Sequence, residues 1–178
     1  MDKQATKHRI IETAFQLFLD QGYADTSMSN LVHATQLSKG AFYHYFKNKE
    51  ELYQEVLNRY VISYYKQIDW NALKQLNSSQ IEQAVVEFYQ SFIPEILALT
   101  TKGMSRYFSL FFEAYERYPY FKQEVQLFYT QLKDVLVEQL EREKAPNPAI
   151  QATQRIAKYE GLMFWIAVFP EQKITPFL

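Results

Sequence analysis

Residues 26–52, TSMSNLVHATQLSKGAFYHYFKNKEEL, decide the fold of this chain. Met28, Leu31 and Val32 share one face at helical spacing, and Thr26 or Ser27 ahead of them offers a side-chain oxygen to cap a helix start. Leu37 begins a tight turn, and Ser38 caps a second short helix from Lys39 to about Tyr45. Asn48, with Glu51 three residues on, forms a capping box for the next helix, whose buried stripe runs through Leu52, Val56, Tyr60 and Tyr64. The helix at Lys39–Tyr45 is too short to stand alone, so packing must hold it. Phe42 and Phe46, at i and i+4, supply the plug, while Lys39, Tyr43 and His44 point elsewhere and Gly40 and Ala41 add almost no bulk.

That surface has a chemistry. Between His33 and Lys49 the chain carries Lys39, Lys47 and Lys49 and no carboxylate. Small residues beside a cation, a phenol and an imidazole suit a helix end inserted in a DNA major groove, where Lys bonds guanine acceptors and Tyr and Lys hold phosphates. The plainer alternative is a solvated lysine face. Upstream, Ile10, Ile11, Ala14, Phe15 and Phe18 line one side of a first helix that Gly22 closes.

The rest of the composition fits an all-α protein. The chain has 178 residues, 48% hydrophobic and 17% aromatic, with only four glycines; this excludes a disordered chain. The absence of cysteine removes disulfides, thiolate nucleophiles and Cys-based zinc sites. The N-terminus MDKQATKHR has no apolar signal core, and the uncharged run Gly161–Pro170 is too short to span a bilayer. A cytoplasmic protein with no membrane partner is expected. The net charge of −1 divides unevenly: residues 1–50 hold six Lys/Arg against five Asp/Glu, leaving 13 against 15 in residues 51–178. Position of cations, not overall charge, carries the nucleic-acid signal.

Residues 6–52 resemble the DNA-binding domain of the TetR (tetracycline-repressor-like) family. The matching pieces are the Ala14–Phe18 core, Gly22-Tyr23, Thr26-Ser27, the run Ser38 to Phe46, and Lys49-Glu50-Glu51-Leu52. The resemblance implies a homodimer on a palindromic double-stranded operator and a C-terminal helical domain whose small-molecule effector lowers DNA affinity. It implies domains at 1–50 and 66–178, joined by a helix over 48–65, and a DNA-binding set of Ser27, Ser38, Lys39, Gly40, Ala41, Tyr43, His44 and Lys49. Within that set Ser27, Tyr43 and Lys49 match phosphate contacts, and Lys39, Gly40, Ala41 and His44 match the groove-facing side. One position departs: Gln36 stands where the family's turn usually has Gly, so it must tolerate a strained φ or re-form the turn. His8 and His33 read as surface or capping groups.

Beyond residue 66 no comparable motif occurs. A polar connection over Asp69–Ser79, with a helical turn around Trp70–Leu76, precedes helices at Gln80 to about Leu97, Lys102–Arg117, Phe121–Lys144 and Ala149–Phe169. Pro94 is expected to kink or end the first of these, and Pro146-Asn147-Pro148 to break the chain. Aromatics crowd the second helix. Phe88, Phe92, Tyr107, Phe108, Phe111, Phe112, Glu113 and Tyr115, with Tyr89 beside them, are the candidate ligand pocket, and Glu113 amid aromatics suits an aromatic or cationic effector. The alternative is that these aromatics simply fill a core. The run from Gly161 to Phe169 is apolar around the whole helix and suits a dimer seam, with Leu162, Trp165, Ile166 and Phe169 as its candidate residues. The chain ends early for the family, so a final dimerisation helix is expected to be absent or reduced to Glu171–Leu178.

An enzyme is the rival class. Every His lies in the first 44 residues and no Gly-rich phosphate loop occurs, so the body lacks imidazole and thiol. No catalytic residue, metal ligand or cofactor is assigned. Control by a protein partner, or activation in place of repression, stays open beside the ligand-responsive repressor.

Overall fold

The computed structural model describes residues 3–100 and 102–171. Its described residues are helical with no strand. In order they form α1 (Lys3–Gln21), α2 (Met28–Thr35), α3 (Lys39–Tyr45), α4 (Lys49–Leu57), a π-helical segment (Asn58–Ile62), α5 (Ser63–Lys66), the short α6 (Trp70–Leu73), α7 (Ser78–Leu99), α8 (Met104–Arg117), α9 (Pro119–Arg142) and α10 (Pro148–Val168). The expected final helix at Glu171–Leu178 lies outside the described residues from 172 onward.

Local signals set the helix ends. Ser27 is the cap of α2: its hydroxyl accepts from Asn30 N at 3.1 Å, and Asn30 Oδ1 accepts from Ser27 N at 2.9 Å. Thr26, the other candidate, is fully buried and donates to the Gly22 carbonyl at 2.7 Å. Ser38 accepts from Ala41 N at 3.2 Å and Asn48 from Glu51 N at 2.8 Å. The turn between α2 and α3 is not re-formed. Gln36 takes φ 56, ψ 24, a left-handed conformation that costs a side-chain-bearing residue about 1–2 kcal/mol.

Two expectations are corrected. Pro94 does not end α7, which runs through it to Leu99. Pro94 and Gln90, whose carbonyl loses its helical partner, are both exposed, so water can take the lost bond. The helix after Asn48 also changes pitch: Asn58–Ile62 is π-helical, and α5 carries the run on to Lys66.

One buried cluster joins the N-terminal helices to the body. Phe15 stacks on Tyr60 with centroids 4.0 Å apart, and Phe42 and Phe46 are buried with Leu31 and Leu52. Tyr53 of α4 is the hinge of this core. Its ring meets Phe18 edge-on at 4.9 Å, and its hydroxyl donates to the Leu110 carbonyl of α8 at 3.1 Å. Burial pushes that phenol well above the usual tyrosine range, with Glu113 adding to the effect, so it stays a donor. Thr100 and Arg106 add polar ties to the end of α1, bonding the Asp20 carboxylate at 2.7 Å and the Asp20 carbonyl at 3.1 Å. A second, smaller cluster of Ile81, Leu132, Leu136, Leu140 and Ala152 lies between α7, α9 and α10.

Candidate nucleic-acid interface and ligand cavity

The outer face of α3 collects most of the residues read from sequence as DNA contacts. Ser38, Lys39, Gly40, Ala41, Tyr43 and His44 are all exposed, and so is Ser27 at the start of α2. Phe42 is fully buried on the opposite side. The face is therefore a short ridge with a small-residue step at Gly40-Ala41, where even a Cβ on Gly40 would meet nothing within 4 Å. Lys49 is placed differently. Its Nζ donates to the Tyr23 carbonyl at 2.7 Å and lies 4.1 Å from the Tyr23 ring centroid, so one end of α4 is fastened to the loop before α2.

The body encloses a cavity of about 690 Å³, within the range of roughly 300–1,000 Å³ that suits drug-sized ligands. It is lined by residues of α5, α7, α8, α9 and α10 and by the π-helical segment through Val61. Seven of the sequence candidates reach it: Phe88, Tyr89, Phe92, Tyr107, Phe108, Phe111 and Phe112. Phe88 stacks on Phe92 at 5.2 Å, and Phe92 meets Tyr107 edge-on at 5.3 Å.

Glu113 and Tyr115 do not line it, which corrects that part of the expected pocket. Helical periodicity puts Glu113 on the opposite side of α8 from Phe108 and Phe111, where it pairs with Arg117 at 3.2 Å. Tyr115 follows Phe111 on the same face but lies one turn further along, against Gln126 and Lys122 of α9.

The cavity's polar groups come from elsewhere. Glu160 of α10 accepts hydrogen bonds from Tyr89 at 2.5 Å and Tyr129 at 2.6 Å. Burial, reinforced by the Glu160 carboxylate, holds both phenols well above the ordinary tyrosine range, so they remain donors. Tyr107, wholly enclosed, is raised by burial first and by Tyr65 and Glu160 after it. Glu82 accepts from Tyr159 at 2.8 Å and Lys158 at 3.1 Å, with Arg155 at 3.8 Å. Burial alone would raise its carboxyl, but those partners together hold it below the usual range. Tyr64 and Tyr65 also line the cavity. Sequence reading missed Tyr65, Tyr129, Glu82 and Glu160 in this role. The available signal was Glu160, an acidic residue between Tyr159 and the uncharged run that starts at Gly161.

On α10 the exposed positions are Ala149, Ile150, Thr153, Gln154, Ala157, Lys158, Gly161, Phe164, Trp165 and Val168, and Lys158, paired with Glu82, is the one charged residue among them. Trp165 is 43% exposed and lies against Phe169 at 4.5 Å. Ile166 is only 4% exposed and packs in this chain's own core, with Leu162 partly buried against it. Their expected place on an outward seam is thereby corrected, because they share the inward side of the helix with Tyr159 and Met163. No helix among the described residues is long and apolar enough to cross a membrane.

Residues 10–56 match the bacterial regulatory proteins of the tetR family. The transcriptional regulator YuxN of Bacillus subtilis is 49% identical over 51 residues, which is 29% of this chain and 18% of YuxN. The transcriptional repressor NemR of Escherichia coli is 28% identical over 85 residues, covering 48% of this chain and 42% of NemR. The chain thus spans less than half the length of these curated relatives. In three dimensions the likeness extends further. The crystal structure of reduced E. coli NemR matches 93% of this chain and 89% of its own at a TM-score of 0.61 and 22% identity. The SmeT–triclosan complex matches 94% and 83% at 0.66 and 19%.

Proposed function

We propose that this chain, whose residues 10–56 match the bacterial regulatory proteins of the tetR family, is a ligand-responsive repressor, binding a palindromic operator as a homodimer and releasing it when a small molecule fills the aromatic cavity. In this reading residues 1–50 grip DNA, 66–178 hold ligand and partner, and 48–65 link the two. Helix α3 enters the major groove, with Lys39 and His44 reading bases across the Gly40-Ala41 step and Ser27, Ser38, Tyr43 and Lys49 holding phosphates. Two copies present their readers to successive grooves about 34–36 Å apart.

One observation carries the regulatory half. The helical run that begins with Lys49 against Tyr23 ends with Tyr64 and Tyr65 in the cavity wall. A ligand that displaces those rings acts on the same rod that sets the position of the DNA-binding helices. The effector class follows from the wall: an aromatic small molecule, in keeping with the triclosan seen in SmeT. The exposed apolar residues Ile150, Phe164, Trp165 and Val168 of α10 support the seam of the homodimer, and Phe164 belongs to both that set and the cavity wall.

The test is recovery of bound fragments from the source genome with the purified protein, with its mass in solution measured by light scattering. A shared palindrome bound by a dimer is expected. Bound fragments without two-fold symmetry, or a monomer on DNA, would overturn the reading.

A further inference from the structure

We propose that Arg117, in the body, is a positioning residue for DNA binding: through the Tyr23 ring it holds the Lys49 ammonium where a DNA phosphate can meet it. This rests on the reading of Lys49 as a phosphate contact. Three segments deliver the parts. Tyr23 lies in the loop after α1, Lys49 opens α4, and Arg117 closes α8. The Lys49 Nζ stands 4.1 Å from the Tyr23 ring centroid, and the Arg117 guanidinium carbon stands 4.6 Å from it. One phenol ring thus carries a cation from each half of the molecule.

The two cations differ in what balances them. Arg117 donates from Nη2 to the Glu113 carboxylate, one turn back on α8, at 3.2 Å. Its charge is matched within its own helix. The ion pairs among the described residues do not include Lys49. Its Nζ is held instead by neutral groups: the Tyr23 carbonyl at 2.7 Å, the Ala24 carbonyl at 3.4 Å and the ring. An ammonium has three N–H donors. Two of them reach carbonyls, which leaves one N–H and an uncompensated charge for a phosphate.

A ring can support a cation only if the ring itself is fixed. Phe18 of α1 and Tyr53 of α4 pack on Tyr23 with centroids 5.7 and 4.4 Å away. Arg117 is the body's contribution to that support, and its own place is set. Glu113 anchors the guanidinium, and Tyr118, extended at φ −117, ψ 105 ahead of Pro119, stops the helix at Arg117. Without Arg117 the ring loses a cation–aromatic contact. Lys49 then gains a freedom that DNA binding has to remove.

The test is the affinity of the full chain for the duplex recovered in the genomic selection, read by fluorescence anisotropy for the parent, Arg117→Ala, Lys49→Ala and the double variant. Arg117→Ala is expected to weaken binding roughly two- to fivefold when Lys49 is present. It should change nothing further when Lys49 is already alanine. A guanidinium that attracts DNA from a distance, or that only stabilises the fold, would act alike in both backgrounds, and that result overturns the proposal. So does an Arg117→Ala variant that binds as tightly as the parent. Tyr23→Phe keeps the ring and the carbonyl and should retain the Arg117 effect; its loss there overturns the route through the ring. If Lys49→Ala binds as tightly as the parent, the phosphate reading of Lys49 falls and this proposal with it. A weakened Lys49→Ala beside an unweakened Arg117→Ala overturns the proposal alone. Should Arg117→Ala lose helicity, Arg117→Met, which keeps the aliphatic stem, carries the same comparison.

Discussion

The Lys49 ammonium sits 4.1 Å from the centre of the Tyr23 ring and donates to the Tyr23 carbonyl at 2.7 Å. The guanidinium of Arg117, from α8, also lies against that ring, at 4.6 Å. Tyr23 is thus contacted by a cation from the start of the linking helix and by one from the body. A lysine held this way keeps part of its donor capacity for a phosphate and pays little entropy to present it.

Lys49→Ala is expected to weaken binding to all DNA sequences alike and to flatten the dependence of log K on log salt by about one ion. Binding isotherms at several salt concentrations check this. Parallel slopes for variant and parent would remove Lys49 from the phosphate contacts.

His44→Ala should change which operator is preferred, with a loss of about 1–3 kcal/mol at the base pair it reads. A selection from random DNA measures the preference directly, and an unchanged consensus would take His44 out of the readers.

Gln36→Gly should stabilise the protein. The left-handed φ of 56 at Gln36 is strained for a side-chain-bearing residue, and glycine removes that strain at some cost in unfolded-state entropy. A net gain of about 1 kcal/mol is expected from urea denaturation. A loss of similar size would mean that the Gln36 side chain contributes more than its backbone costs.

Gly161→Glu tests the seam without disturbing the chain's own packing. A Cβ built at Gly161 meets nothing within 4 Å, so the isolated chain has room for the new side chain. Against a partner helix the same side chain would crowd and bury a charge. Unchanged helicity with a shift from dimer to monomer in light scattering is expected; a dimer of undiminished strength would move the seam elsewhere.

Much of the DNA-facing half is legible in sequence because its signals are local. Caps at Ser27, Ser38 and Asn48 lie within three residues of the groups they bond, and Phe42 and Phe46 declare the buried side of α3 by spacing alone. Even Gln36 is marked beforehand as the turn's irregular residue. The cavity is different. Seven of its aromatics are visible as a cluster, yet the sequence points to Glu113 as the acid because it is their neighbour along the chain. Its side of α8 faces Arg117, and the acid that reaches the cavity comes from α10, brought there by tertiary packing. Pro94 misleads for a related reason: a proline ends a helix only where the freed carbonyl lacks another partner, and Gln90 is open to water.

The central claim is that occupancy of the aromatic cavity loosens the grip on DNA. The most direct measurement is the affinity for a selected operator, by fluorescence anisotropy, with and without a saturating compound found to raise the melting temperature. A fall of about 5–150-fold is predicted, the usual span of allosteric coupling. Undiminished operator affinity with the cavity filled would contradict the account.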